Sequence, residues 1–403
     1  MPQLHIKVII IAHCSKNICH ILLYPPAVLY GRKNNHGWGL MAIRKSSKLV
    51  WVIAVVTSLA LAACSSSASQ LIKASDKNSE LVQAENNFLI DIYDLSPTDL
   101  GEGESLRVAA TTNIVADVVA NIGGEAIELT TLIPLGADPH TYEPTPGDYQ
   151  VMVNAHVIFL NGVGLEEFMY QTLKQVAAEV PIVSLSEGIE LSLFGGDEKS
   201  DHQEGGGSDE GEENDHGEGE AHYQDEAGVD PHVWFDAFNV IVWAENAAHT
   251  MSALDPVNAD LYEANAYEYV EMLKELDAWI QGQVARVVPE DRKLVTDHLA
   301  FSYFGRRYGF EMVGAVIPAY SMAAQPSAQE IAELVDTIGE QEVKAVFVGT
   351  TVNPRLAERV AEDTGVELVR LYIGSLSEPD GPAGTYIALM QYDVNEIVQA
   401  LLE

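Results

Sequence analysis

Three histidines in this chain each follow an aspartate closely: Asp138-Pro139-His140, Asp230-Pro231-His232 and Asp297-His298. An imidazole nitrogen is a good donor to a borderline divalent ion. A metal-bound imidazole usually passes its other N–H to a carboxylate or a carbonyl, which fixes the tautomer. An aspartate two residues back, on a turn stiffened by proline, could serve that purpose or could simply cap the local backbone. Taken singly, each histidine could equally be an unrelated residue at a turn. Taken together, all three fall where a strand-like segment gives way to a loop or helix. In open α/β sheets that carboxyl edge is where ligands bind.

The elements that must position them alternate strand with helix from Ser105 onward. "SLRVAATT", "AIELTTLI", "HVIFLNG" and "PIVSLSEGIEL" read as strands, separated by the helical patterns "NIVADVVANIGG", "YQVMVNA" and "EEFMYQTLKQVAAEV". Such alternation implies βαβ units and a mainly parallel sheet. The C-terminal half repeats it. "RKLVTDH", "FEMVGAVI", "VKAVFVGTT" and "VELVRLYIG" are strands, and Ser327 with Glu330 has capping-box spacing. Between the halves, "FNVIVWAENAAHTMSAL" and "NADLYEANAYEYVEMLKELDAWIQGQVARV" predict two helices, the second of roughly 40 Å. The expected fold class is α/β: two similar parallel-sheet lobes joined by a long spine helix. The expected boundaries are 105–254 for the N-terminal lobe, 255–288 for the spine and 289–403 for the C-terminal lobe.

Composition narrows the function. Sixty acids against 22 bases give a net charge of −38, a surface that repels nucleic acid phosphates and attracts cations. Nucleic acid is therefore not an expected partner. Acids are absent from the first 63 residues, where "MAIRKSSKLVWVIAVVTSLALAAC" has a basic start, an apolar run too short to span a bilayer, and a small-residue end at Cys64. Residues 41–63 read as a lipoprotein signal peptide with Cys64 as the lipidated first residue of the mature chain. Residues 1–40 read as an over-extended N-terminus, with Met41 as the start. Cys14 and Cys19 then lie outside the mature protein, which keeps no thiol free for a disulfide or a zinc–thiolate site. Residues 65–104 read as a tether, in which "FLIDIY" could add a strand. A tract at 195–226 is nearly devoid of apolar residues and is expected to be disordered. Its His202, His216 and His222, set among carboxylates, are candidates for weak metal binding.

The blocks "LIPLGADPHTYEPTPGD", "FLNGVGLEEF", "DPHVWFD", "TDHLAFSYFGRRYG" and "GTYIALMQYDVNEIV" occur in an order that resembles the zinc- and manganese-binding solute-binding lipoproteins of bacterial ABC importers. The resemblance covers about residues 105–402. It implies one metal held in the cleft between the lobes, with His140, His232 and His298 as ligands, and an ABC importer permease as partner. It further implies a monomer that is lipid-anchored to the bacterial cell membrane on its extracytoplasmic side. Three neutral imidazoles suit Zn²⁺, whereas Mn²⁺, the alternative, prefers oxygen. Many such proteins carry an aspartate ligand near the C-terminus in a segment that here reads "LYIGSL", with Gly374 at its place. The fourth position then falls to water, Glu143 or a carboxylate of the acidic tract. Two other functions fit the same residues: a metal-binding surface adhesin of this fold, and a secreted zinc hydrolase. The hydrolase is disfavoured because H-E-x-x-H and other compact hydrolase signatures are missing.

Overall fold

The computed structural model describes residues 12–15, 18–21, 89–90, 92–192, 229–319 and 326–402. The signal segment 41–63, Cys64, and His202, His216 and His222 of the acidic tract lie outside the described residues. Within 1–40, β1 (Ala12–Ser15) and β2 (Ile18–Ile21) pair as an antiparallel hairpin.

The N-terminal lobe is built on four parallel strands: β3 (Leu106–Ala110), β4 (Ile127–Thr131), β5 (Val157–Leu160) and β6 (Ile182–Ser184), in the spatial order β4-β3-β5-β6. The C-terminal lobe repeats the plan with β7 (Lys293–His298), β8 (Glu311–Ile317), β9 (Ala345–Gly349) and β10 (Glu367–Leu371), ordered β10-β9-β7-β8. In both lobes the first strand lies between the second and the third, so the chain reverses its direction of travel across the sheet beside that strand. This is the switch point that opens a crevice at the carboxyl ends of the strands. The inner strands β5 and β9 are apolar on both faces, with every residue buried. The edge strand β4 instead alternates between half-buried and exposed residues.

The crossovers are α1 (Asn113–Gly123), α2 (Pro146–Asn154) and the short α3 (Tyr170–Val176) in the first lobe. "EEFMYQTLKQVAAEV" is thus not one continuous helix. A 3₁₀ turn at Glu167–Met169 precedes seven helical residues. "PIVSLSEGIEL" keeps only three residues as strand. Two helices connect the lobes, α4 (Ala237–Leu254) and α5 (Ala259–Val284). At 26 residues α5 is about 39 Å long, the expected spine. The second lobe adds α6 (Ser302–Tyr308), α7 (Ala328–Glu340), α8 (Arg355–Thr364) and α9 (Tyr386–Leu402). The Ser327–Glu330 capping box forms, with both reciprocal hydrogen bonds. A second box at Thr145 and Asp148, with Pro146 in the first turn, starts α2.

One apolar core runs unbroken from the N-terminal lobe through the spine into the C-terminal lobe, including Val118, Trp243, Leu273, Phe304 and Leu389. The outer face of each sheet has its own smaller core. Ion pairing reinforces the joint. Asp277 of α5 accepts hydrogen bonds from Arg307 Nε (3.0 Å) and Tyr308 Oη (3.2 Å) of α6, and from Gln281 (2.6 Å). Arg307 also lies 3.7 Å from Asp236, the N-cap of α4.

The end of the expected tether is not free. The Ile90 N–H donates to Ile182 O of β6 (3.0 Å), the Thr98 N–H donates to Leu254 O (2.8 Å), and Ile92 is buried in the main core. Leu89, Ile90 and Ile92 account for the docking: they pack against the apolar cores, and among the described residues of this stretch only a 3₁₀ turn forms and no strand is added. Replacing Asp277 with Ala strands three donors at the joint between spine and C-terminal lobe. The expected loss is about 2 kcal/mol, read as a lower urea midpoint with an unchanged slope.

Candidate metal centre

His298 is the last residue of β7, at the switch point of its sheet. His140 lies on the long connection that leaves β4, and His232 stands just before the 3₁₀ turn Val233–Phe235 that leads into α4. These three positions, far apart in sequence, meet at the carboxyl edges of the two sheets. Nε2 of His232 lies 3.0 Å from Nε2 of His140 and 3.1 Å from Nε2 of His298. Among the described residues, these three form the one group of His, Cys, Asp or Glu side chains whose donor atoms all converge within 4.8 Å. His232 is fully buried, while His298 is 3% and His140 6% exposed.

The aspartates divide their work in a way the repeated Asp-Pro-His motif hides. Asp230 accepts from the backbone N–H of His232 (2.9 Å) and faces its Nδ1 at 2.7 Å. Asp297 does the same for His298, with Nδ1 at 2.7 Å, and its second oxygen accepts from Gly349 N–H at 2.7 Å. A Cβ at 349 would sit 3.1 Å from that oxygen, close enough to push the carboxylate by a few tenths of an ångström. Asp138, by contrast, caps a turn. It accepts from the His140 backbone N–H (3.0 Å) and the Thr141 hydroxyl (3.1 Å), and does not bond the ring.

With Nδ1–H donated to a carboxylate, His232 and His298 each turn a bare lone pair toward the other. Lone pairs at 3.1 Å repel unless an electrophile stands between them, either a proton or a cation. Burial, reinforced by the other two imidazoles, holds His140 well below the ordinary imidazole pKa. Burial also lowers His232, against the opposing pull of Asp230. At His298 burial acts in the same direction, but the charge and hydrogen bond of Asp297 outweigh it and the pKa is raised.

The surroundings lock the turns across the lobe boundary. Phe235 and Phe301 stack with centroids 4.2 Å apart. Tyr303 Oη donates to Asp230 O (3.0 Å), and Tyr386 Oη donates to Trp234 O (2.7 Å). Sequence reasoning did not single out these tyrosines, although both sit in the motif blocks that carry the histidines and the C-terminal helix. Glu143 is exposed and does not belong to the histidine group. The reason is local: the turn capped by Asp138 brings His140 inward, while Glu143 stays at the surface. Gly374 does border the site. A Cβ there would lie 3.1 Å from Pro139 of the His140 turn, and the neighbouring Ser375 accepts from Asn113 Nδ2 (3.0 Å) and Gly136 N–H (2.9 Å).

Residues 108–400 match the family described as ZnuA, zinc-uptake complex component A, periplasmic. The manganese-binding lipoprotein MntA of Halalkalibacterium halodurans is 33% identical over 301 residues, 74% of this chain and 90% of its own. The manganese ABC transporter substrate-binding lipoprotein PsaA of Streptococcus pneumoniae is 30% identical over 311 residues, 75% of this chain and 91% of its own. Among solved structures, the periplasmic zinc-binding protein TroA of Treponema pallidum superposes with a TM-score of 0.63. It is 26% identical and matches 74% of this chain and 99% of its own.

The order of protonation in the triad is a direct check on the geometry. His298 should take up a proton first as pH falls, with a midpoint above the usual value of about 6.5, while His140 and His232 titrate only below it. The two lowered pKa values mean that the unfolded chain binds more protons below about pH 6.5, so metal-free stability falls there as pH falls. The raised His298 works in the opposite direction, its contribution being full in acid and lost as pH rises through its own pKa. Imidazole NMR resonances followed from pH 8 to 4, alongside thermal melts, should show that order.

Proposed function

The chain belongs to the ZnuA family of metal-binding, substrate-binding components of ABC importers, and from that premise we propose that it captures Zn²⁺ on His140, His232 and His298 for delivery to a membrane permease. The observation that carries this reading is the convergence of three imidazole Nε2 atoms, two of them held as lone-pair donors by Asp230 and Asp297. The relatives are binding proteins rather than enzymes, and this chain is not an enzyme.

Zinc as cargo is supported by the donor set. Three nitrogens match the preference of a borderline-soft ion, whereas Mn²⁺ favours oxygen ligands and more of them. Tetrahedral zinc with bonds of roughly 2.05 Å needs nitrogens about 3.3 Å apart. The present separations of 3.0 and 3.1 Å therefore have to widen by only a few tenths of an ångström. The fourth position is left to water, an exchangeable ligand suited to a cargo that must later be released. Manganese is the second reading, favoured by the names of MntA and PsaA. Lipidation at Cys64 is supported by the lipobox-like ending and by the lipoprotein relatives; it would hold the binding lobes at the outer face of the membrane that houses the permease.

Calorimetric titration of the mature protein should give one tight Zn²⁺ equivalent and Mn²⁺ binding weaker by at least about tenfold, a difference of 1.4 kcal/mol. Tighter Mn²⁺ would overturn the zinc assignment. Retention of tight binding by a His140→Ala, His232→Ala, His298→Ala variant would overturn the site. Deleting 196–226, which removes His202, His216 and His222, should abolish weak additional equivalents and spare the tight one. Loss of the tight equivalent would mean that the acidic tract supplies the fourth ligand.

A further inference from the structure

Glu166 is fully buried, yet no basic side chain among the described residues pairs with it. Its carboxylate instead collects three donors. Oε1 accepts from the Thr111 hydroxyl (2.7 Å) and from Asn161 N–H (2.8 Å), and Oε2 accepts from Gly162 N–H (3.0 Å). Thr111 follows β3 and Asn161 follows β5, so this one side chain ties together the carboxyl ends of the two strands that flank the switch point. The intervening turn is tightly wound, with Gly162, Val163 and Gly164 all in the left-handed region at φ 79°, 57° and 85°. A valine there is strained and needs outside support.

Both strand ends lead to the histidines. The Asn161 side-chain amide donates to the carbonyl of Pro231 (3.1 Å), the residue just before His232. The Thr111 carbonyl accepts from Ile133 N–H (2.8 Å), near the start of the connection that carries His140. Asp230 fixes the His232 ring from inside its own turn, but the turn as a whole needs an anchor on the sheet, and Asn161 supplies it. We infer that Glu166, acting through Asn161, is a positioning residue that sets the place of His232 and steadies the approach of His140. A carboxylate buried without a cation is costly, and burial pushes the pKa of Glu166 up to about 7. An amide does not substitute for it, since it offers one acceptor oxygen where two are used and presents a donor to a donor.

The inference rests on the proposed metal role of the histidines, and the test separates the two. Zn²⁺ affinity is measured by chelator competition for the full chain and for Glu166→Gln, Asn161→Ala and the triple histidine variant. Visible spectra of the Co²⁺-loaded proteins report the geometry of the donors. Glu166→Gln and Asn161→Ala should each weaken Zn²⁺ binding about tenfold, the lower end of the cost of removing an outer support of a metal-bound histidine. Each should also shift the Co²⁺ bands, which a residue serving only general stability would leave in place. If Glu166→Gln fails to fold, Asn161→Ala decides alone. A folded Asn161→Ala protein with wild-type affinity and an unchanged Co²⁺ spectrum overturns the positioning role. Tight binding by the triple histidine variant overturns the metal site itself.

Discussion

Two imidazole nitrogens held within about 3 Å of a third are an unfavourable arrangement that the rest of the molecule must enforce. Left alone, the rings would turn apart or share a proton. They are prevented from turning because Asp230 and Asp297 grip the far nitrogens of His232 and His298, and because burial denies the triad water. The repulsion that remains is what a cation relieves. A site of this kind holds part of its binding energy in advance, in groups already desolvated and aimed, so little reorganisation is needed when the ion arrives.

Such enforcement depends on a scaffold that does not give. The triad draws on both lobes, so any independent movement of the lobes would pull it apart. The continuous core through α1, α4, α5 and α9 opposes that movement, as do the Phe235–Phe301 stack and the bonds from Tyr303 and Tyr386 to the His232 turn. Breaking them would expose apolar surface and strand buried polar groups together. This favours small displacements of side chains and turns over wide hinge opening as the means of loading and release.

Much of this was legible in the sequence, because parallel strands buried on both faces and helices with clear periods leave strong patterns. β5, β9, α4 and α5 were of that kind, and so was the capping box at Ser327. Short or edge elements were less legible. α3 shrank to seven residues, and the end of the expected tether proved to be docked. Local pattern records which face of a segment is apolar; it does not record what that face will meet.

The histidines show the same division. Their residue type, the aspartates beside them and their places at strand ends were determined by the chain itself, since these depend on neighbours only one or two positions away. That Asp230 grips a ring while Asp138, in the same Asp-Pro-His spacing, grips only backbone was decided by the fold. So were the exposure of Glu143 and the recruitment of Asn161 beneath the Pro231 carbonyl. Spacing along the chain limits what a side chain can reach, but its final orientation is set by packing against residues distant in sequence, and that information exists only once both lobes have closed around the spine.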